Sequence, residues 1–336
     1  MTSVKATGLA LVGAGGIAAS WSKAIAKTSG VRLRMVADID IRKAWRVSAL
    51  FPGCVGVADW KKILRSPDVD AVLVATPHKF LAGISRQALL AGKHVLSEKP
   101  GGVSPEETLA NTKLARKKHL RYMVGFNHRF HPAFQAAKKI IDSGKIGDPL
   151  FVRARYGFGG RPGMAKEWRL QKNISGGGEL IDQGVHMIDL ARWFLGDFVK
   201  VCGFAPDLFW GVGGDDNAFV LMQTRKGRTA SVHVSLTNWK WIHSFEIFGT
   251  KGYLLVDGLD RRYQGPERLT IGARDPKFKN PPKEKTVFFK NERKEDSFAR
   301  ELAEFLIAIR KRRAPVPDGS AAYEALKVVK KIYAKK

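Results

Sequence analysis

Cysteine is scarce in this chain of 336 residues: there are two, Cys54 and Cys202. Two thiols in different halves of a sequence make neither a disulfide framework nor a metal-ligand set, and a reducing cytoplasm is the expected setting. Acidic residues are also few, 31 against 58 lysines and arginines, for a formal net charge of +27. The excess is spread along the chain, +12 over residues 1–125 and +15 beyond, so no single basic module stands out. Zinc-finger spacing and RNA-recognition aromatic motifs are absent too. A dedicated nucleic-acid protein is therefore not expected, whereas loose polyanion affinity at low salt is. No apolar run approaches the roughly 18 residues of a membrane span. The stretch 8–18 is broken by glycine, so neither a signal peptide nor a membrane partner is expected.

Apolar residues make up 44% of the chain, and the length suggests two domains. The most informative stretch is Leu9-Ala10-Leu11-Val12-Gly13-Ala14-Gly15-Gly16-Ile17-Ala18, an apolar strand, a glycine turn and the start of a helix. Gly13 and Gly15 allow a tight turn and close backbone approach, and Ala18 takes the third small position. Gly16 and Ile17 open the helix, whose free N–H groups and positive dipole end suit a pyrophosphate. A second strand, Val31–Ala37, ends in Asp38, about 20 residues past the motif, where a carboxylate can hold the ribose 2′-OH of NAD. Arg42 is close enough to accept a 2′-phosphate, but Asp38 would repel it. NAD is therefore expected rather than NADP.

The first half keeps alternating: helix 42–50, strand 55–57, helix 60–65, strand 70–75, helix 80–91 closed by Gly92, strand 94–97, helix 104–118, strand 122–126. Ser104 and Glu107 predict a capping box. Strands separated by such helices predict a parallel, doubly wound sheet. Two strands end in Thr76-Pro77-His78 and in Glu98-Lys99-Pro100, on the sheet edge where ligands approach. On local grounds Lys99 is either a surface loop lysine or a charge aimed at the cofactor.

The pattern changes after Gly125-Phe126-Asn127-His128-Arg129-Phe130-His131-Pro132. A helix is expected over 132–143, then apolar-rich strands at 150–158, 199–204, 218–223, 230–236, 244–248, 253–256, 269–271 and 286–289. Tight turns at 225–228 and 249–252 predict hairpins, and alternating polarity predicts a mainly antiparallel sheet with one open face. Residues 272–294 read as an exposed loop broken by one strand, and helices follow at 298–310 and 321–333. Gly176-Gly177-Gly178 leads into a helix expected over 179–195, apolar nearly all round, yet Asp182, His186 and Asp189 recur on one stripe. That stripe is either a set of polar contacts to loop backbone or a histidine general base with an oriented neighbour. Asp189 reads as structural. No further His or Cys cluster supports a metal, and none is expected.

Together these segments resemble the Gfo/Idh/MocA family of oxidoreductases, over essentially the whole chain. The resemblance rests on the glycine motif at 13–18, on Glu98-Lys99-Pro100, on Gly125 to Phe130, and on the run from Gly176 to His186. It implies an α/β fold, with a doubly wound parallel Rossmann domain over residues 1–126. A C-terminal α+β domain over 127–336 would carry an open, mainly antiparallel sheet, bind substrate and support a homodimer or homotetramer, with the last helix packing back on the first domain. It also implies hydride transfer between a nicotinamide cofactor and a hydroxyl or keto carbon of a sugar, inositol or nucleotide sugar. The family's catalytic positions fall on Lys99, Asp182 and His186. Cofactor contacts would come from Gly13, Gly15, Gly16, Ile17, Asp38, Thr76, Pro77, His78, Glu98, Lys99 and Asn127. Substrate contacts would come from Arg129, Trp168 and Arg169; Arg161 reads on its own either as a phosphate contact or as a loop arginine. His78 departs from the asparagine of many members, and the helix after it lacks the family's frequent histidine; both bear on the surroundings of the nicotinamide. A non-catalytic dinucleotide sensor of the same fold is the alternative, and the joint presence of Lys99, Asp182 and His186 argues against it. The basic balance favours an anionic substrate such as a nucleotide sugar.

Overall fold

The computed structural model describes residues 6–211, 213–260, 262–290 and 293–334. The chain forms two compact units. The first comprises residues up to Asn127 together with Lys294–Tyr323. Its six strands are β1 (Thr7–Val12), β2 (Val31–Ala37), β3 (Val55–Val57), β4 (Ala71–Val74), β5 (His94–Glu98) and β6 (Tyr122–Gly125). They pair in parallel in the order β3-β2-β1-β4-β5-β6. Between them run α1 (Ala18–Lys27), α2 (Ile41–Ser48), α3 (Lys61–Arg65), α4 (His78–Leu90) and α5 (Pro105–Lys117). The chain reverses direction across the sheet between β1 and β4, which opens the ligand crevice of doubly wound folds at those strand ends. β1 is buried along its whole length, as a parallel strand covered on both faces must be, and so reads as an unbroken apolar run. The capping box forms: Glu107 N–H donates to Ser104 Oγ at 3.3 Å and Ser104 N–H to Glu107 Oε2 at 3.2 Å.

The helix Lys294–Arg310 belongs to this unit although it lies far along the chain. Phe298 meets Trp21 of α1 edge to face at 4.9 Å, and Phe298, Leu302, Phe305 and Leu306 are buried. The unit boundary in space thus differs from the one drawn along the sequence at 126. An apolar helical stripe is drawn to the nearest unfilled core, not to its neighbour in sequence.

The second unit comprises His128–Arg293 and the residues after Tyr323. Its strands are β7 (Pro149–Gly157), β8 (Phe198–Phe204), β9 (Asn217–Thr224), β10 (Thr229–Ser235), β11 (Ile242–Gly249), β12 (Gly252–Leu259), β13 (Tyr263–Ala273) and β14 (Lys283–Phe289). They form one sheet, β14-β13-β12-β11-β7-β10-β9-β8. Only β7 and β10 run parallel; the other pairs are antiparallel. Alternation is plain on β9, where Ala218, Val220 and Met222 are buried while Phe219 and Leu221 are exposed. α6 (Pro132–Asp142) and a short α7 (Lys172–Ser175) precede α8 (Val185–Leu195); α6 packs on β12 and β13, α8 on β7 and β10.

The single helix expected over 179–195 is not continuous. Leu180–Gly184 is a π-helical turn, and the α-helix begins only at Val185. Asp215 caps the start of this turn: its backbone carbonyl accepts Glu179 N–H at 2.7 Å and its carboxylate accepts Leu180 N–H at 2.7 Å. A π turn spaces its hydrogen bonds one residue wider than an α-turn and is frequent at functional sites.

Candidate active site

The first unit gathers one group of expected residues along the C-terminal ends of its parallel strands. Gly13 sits at φ +99°, and a Cβ there would lie 2.5 Å from the Ala75 carbonyl oxygen, so only glycine fits between the ends of β1 and β4. Gly15 and Gly16 are different: an added Cβ would meet nothing within 4 Å, leaving bare backbone for a ligand to approach. Ile17 is the N-cap of α1. Asp38 is tied to this turn, accepting Ala14 N–H at 2.8 Å and Asp40 N–H at 2.9 Å. A bare glycine turn at a helix N-terminus, bound to a strand-end aspartate, fits a dinucleotide with two free ribose hydroxyls. Arg42 is paired with Asp40 instead, Nε to Oδ1 at 3.0 Å and Nη2 to Oδ2 at 3.3 Å.

Thr76 and Pro77 follow β4, and His78 opens α4 with its side chain buried. Glu98 ends β5 and accepts the Trp21 indole N–H at 2.7 Å. Burial pushes its carboxyl pKa up, and the indole bond and Lys99 partly oppose that. Trp21 reads in the sequence as one more apolar helix residue, with nothing to mark its bond to Glu98. Lys99 follows directly, with a cis peptide to Pro100. Asn127 is buried and donates to Ser297 Oγ at 3.1 Å.

The second unit holds the other group. Asp182 on the π turn and His186 on the first turn of α8 are both buried. The His186 ring faces that of His128 at 3.9 Å between centroids, tilted by 35°. His128 in turn meets Tyr156 edge-on at 5.4 Å. His131 Nδ1 lies 2.9 Å from Glu267 Oε2, and Glu267 also accepts Ala133 N–H at 2.7 Å. Asp182 is 3.3 Å from Arg169 Nε. The Arg169 guanidinium lies 4.7 Å above the Trp168 ring and reaches Glu167 at 3.3 Å. Arg161 donates to both oxygens of the same Glu167, at 2.7 and 2.6 Å, and this partner pushes its pKa up. The structure thus links Asp182, Arg169, Trp168 and Arg161 around Glu167, while His186, one turn beyond Asp182, lies against His128.

Arg129 does not join it. Expected to face substrate, it is instead buried and clamps Asp189 through two 2.6 Å hydrogen bonds, with its guanidinium 5.2 Å from the Trp193 ring. Asp189 had read as structural, and its partner explains why. Sequence reasoning also missed the frame of the glycine run. Tyr333 Oη donates to Asp215 Oδ1 at 2.6 Å and accepts Gly178 N–H at 3.3 Å. A Cβ on Gly178 would lie 2.0 Å from the Asp215 carbonyl oxygen. The adjacent acids at 215 and 216 were the available signal. Among the described residues, no three His, Cys, Asp or Glu side chains are grouped to hold a metal, and no helix is long and apolar enough to cross a membrane.

Residues 7–126 match the model of an oxidoreductase family with an NAD-binding Rossmann fold, and residues 134–255 match the GFO/IDH/MocA C-terminal domain. The chain is 30% identical to the inositol 2-dehydrogenase of Rhizobium meliloti over 322 residues, 94% of this chain and 92% of that protein. It is 40% identical to the levoglucosan dehydrogenase of Pseudarthrobacter phenanthrenivorans over 146 residues, 43% of this chain and 37% of that protein. Among solved structures, a levoglucosan dehydrogenase in complex with NADH and levoglucosan superposes with a TM-score of 0.90 at 25% identity, covering 98% of this chain and 97% of that one.

Proposed function

The chain belongs to the Gfo/Idh/MocA family of oxidoreductases, and on that premise we propose that it is an NAD-dependent dehydrogenase of a CH–OH group on a sugar-like or inositol-like substrate. The observation that carries the reading is the π turn that sets the Asp182 carboxylate and the His186 imidazole, both buried, one turn apart. Burying an acid and an imidazole on successive turns is costly, and such a pair suits proton abstraction.

The residues divide the work. Gly13, Gly15, Gly16 and Ile17 would hold the pyrophosphate, and Asp38 the ribose hydroxyls. Asp38 would repel a 2′-phosphate, and Arg42 is already paired with Asp40, which supports NAD over NADP. Bound NAD supplies the acceptor for the carbinol hydride. His186 takes the hydroxyl proton at a ring nitrogen. Asp182 orients the imidazole or the substrate, with Arg169 balancing its charge. Lys99 stabilises the substrate oxygen as negative charge develops there. The relatives' substrates support a small polyol. The exposed apolar residues of β9 support a homodimer or homotetramer through the open sheet face, and the reading carries a cytoplasmic setting with it.

The test is NADH formation by the full-length protein over a panel of inositols, aldoses and anhydrosugars, for wild type and His186→Gln. The expected result is turnover on at least one polyol, falling by about 10²–10⁴ in kcat in the variant while NADH still binds. Binding of NADH with no turnover on any polyol would instead favour the dinucleotide sensor.

A further inference from the structure

The dehydrogenase reading leaves a set of aromatic side chains on the second unit without a role. The residues 208–211 are carried on a frame. The buried Asp216 carboxylate accepts the N–H groups of Leu208, Phe209 and Trp210 at 2.9, 2.7 and 3.0 Å. Trp210 Nε1–H donates to the Leu236 carbonyl at 3.2 Å. Its ring passes so close to Gly160 that a Cβ there would sit 2.2 Å away. This frame holds Phe209 edge to face against Trp239 at 4.9 Å, yet the two side chains are 61% and 64% exposed. Trp239 keeps a left-handed φ of +45°, a strained conformation for a bulky residue. Such strain persists only where surrounding structure enforces it, and it clusters at ligand sites.

Trp239 lies against Gly159, where an added Cβ would sit 3.0 Å from it, and the preceding residue, Phe158, begins a second set of ring contacts. Trp241 stacks on Phe158 at 4.6 Å and meets Tyr263 edge-on at 4.8 Å. From Tyr263 the path runs to Tyr156, His128 and His186 through ring contacts of 5.1, 5.4 and 3.9 Å. Trp241, 37% exposed, is thus the outer end of a run of ring contacts that reaches the proposed base, and Phe209 and Trp239 flank that end across Gly159. The polar groups beside the path are matched: Arg161 and Arg169 both face Glu167, and Arg169 also faces Asp182. Cations already neutralised by carboxylates do not favour a diphosphate. Their remaining donors and lone pairs suit hydroxyls, and flat aromatic faces suit the C–H face of a sugar ring. Exposed apolar patches rimmed by polar groups commonly mark ligand grooves.

We propose that Phe209, Trp239 and Trp241 form an outer platform for a second sugar ring, so that the substrate is an uncharged glycoside of at least two rings rather than a free monosaccharide or a nucleotide sugar. This rests on the dehydrogenase reading and narrows its substrate class. One stacked ring contributes about a twofold to tenfold preference.

The test compares kcat/KM, with NAD and the full-length protein, for glucose, cellobiose, maltose, galactose, melibiose and UDP-glucose, in wild type, Trp239→Ala and Phe209→Ala. Trp239 is mostly exposed, so its truncation leaves the core intact. The expected result is that a disaccharide outperforms its monosaccharide, and that this ratio falls about twofold to tenfold in both variants. A wild-type preference for a monosaccharide or for UDP-glucose overturns the proposal, as does a ratio unmoved by the variants. If no sugar is turned over, quenching of indole fluorescence by the same sugars decides: disaccharides must bind more tightly than monosaccharides in wild type and lose that advantage in Trp239→Ala. NADH binding, measured on the same samples, reports separately on the dehydrogenase reading.

Discussion

Removing one partner of the Arg129–Asp189 pair should unfold the second unit far more readily than removing both. The two side chains are 7% and 1% exposed, and two 2.6 Å hydrogen bonds join them. In Arg129→Met the carboxylate of Asp189 is left buried without its cation. The cost of stranding a buried charge in this way is about 3–5 kcal/mol. For a unit of this size each kcal/mol moves the melting temperature by roughly 2–4 °C, so Arg129→Met and Asp189→Leu should each melt about 6–20 °C below wild type. The double variant replaces an ion pair by apolar groups of similar volume. It should recover to within about 1 kcal/mol of wild type, because the desolvation of both charges disappears with them. Urea unfolding followed by circular dichroism measures all four proteins. The reasoning is refuted if either single variant costs under 1 kcal/mol, or if the double variant is as unstable as the singles. A folded double variant with a much raised substrate KM would return Arg129 to the substrate site.

Three further outcomes follow from local geometry. Burial pushes the His94 imidazole down to about 4, and its Nδ1 accepts Arg121 N–H at 2.9 Å in the neutral form. The unfolded chain then binds a proton that the folded one refuses, so stability is lost as pH falls from about 6.5 toward 4. His94→Gln should flatten the urea midpoint over that window by about 1 kcal/mol, after allowance for the partial exposure of the ring. Gly178→Ala drives a Cβ into Asp215 backbone; it should destabilise by about 1–3 kcal/mol and lower turnover through the π turn, read by thermal melts and kinetics. Tyr333→Phe removes the hydroxyl that joins Gly178 to Asp215 and should cost about 1–2 kcal/mol in the same melts.

The parts of the fold that rest on short-range chemistry were readable in the sequence. The apolar run of β1 needs only burial on two faces, and the Ser104–Glu107 box needs only three residues of spacing. The hairpins at 225–228 and 249–252 announce themselves by glycine. What escaped depends on partners far apart in the chain. The π turn is capped by Asp215, 35 residues beyond Leu180, which Tyr333 holds from near the other end of the chain. Arg129 looked like a substrate ligand because its neighbours in sequence belong to a site motif, while its partner lies 60 residues on. The pairing of Trp21 with Glu98 spans 77 residues, and neither residue type specifies the other. The helix at Lys294–Arg310 shows its amphipathic pattern, but no pattern says which core receives it.

The most direct measurement is a fluorescence titration of the full-length protein with NADH and with NADPH, for wild type and Asp38→Ala. Asp38 is fixed to the glycine turn by two backbone hydrogen bonds, so it should both hold the ribose and reject the 2′-phosphate. NADH is expected to bind more tightly than NADPH, and the preference to shrink or reverse in Asp38→Ala. Failure of either nucleotide to bind, or tighter binding of NADPH by wild type, would contradict that expectation.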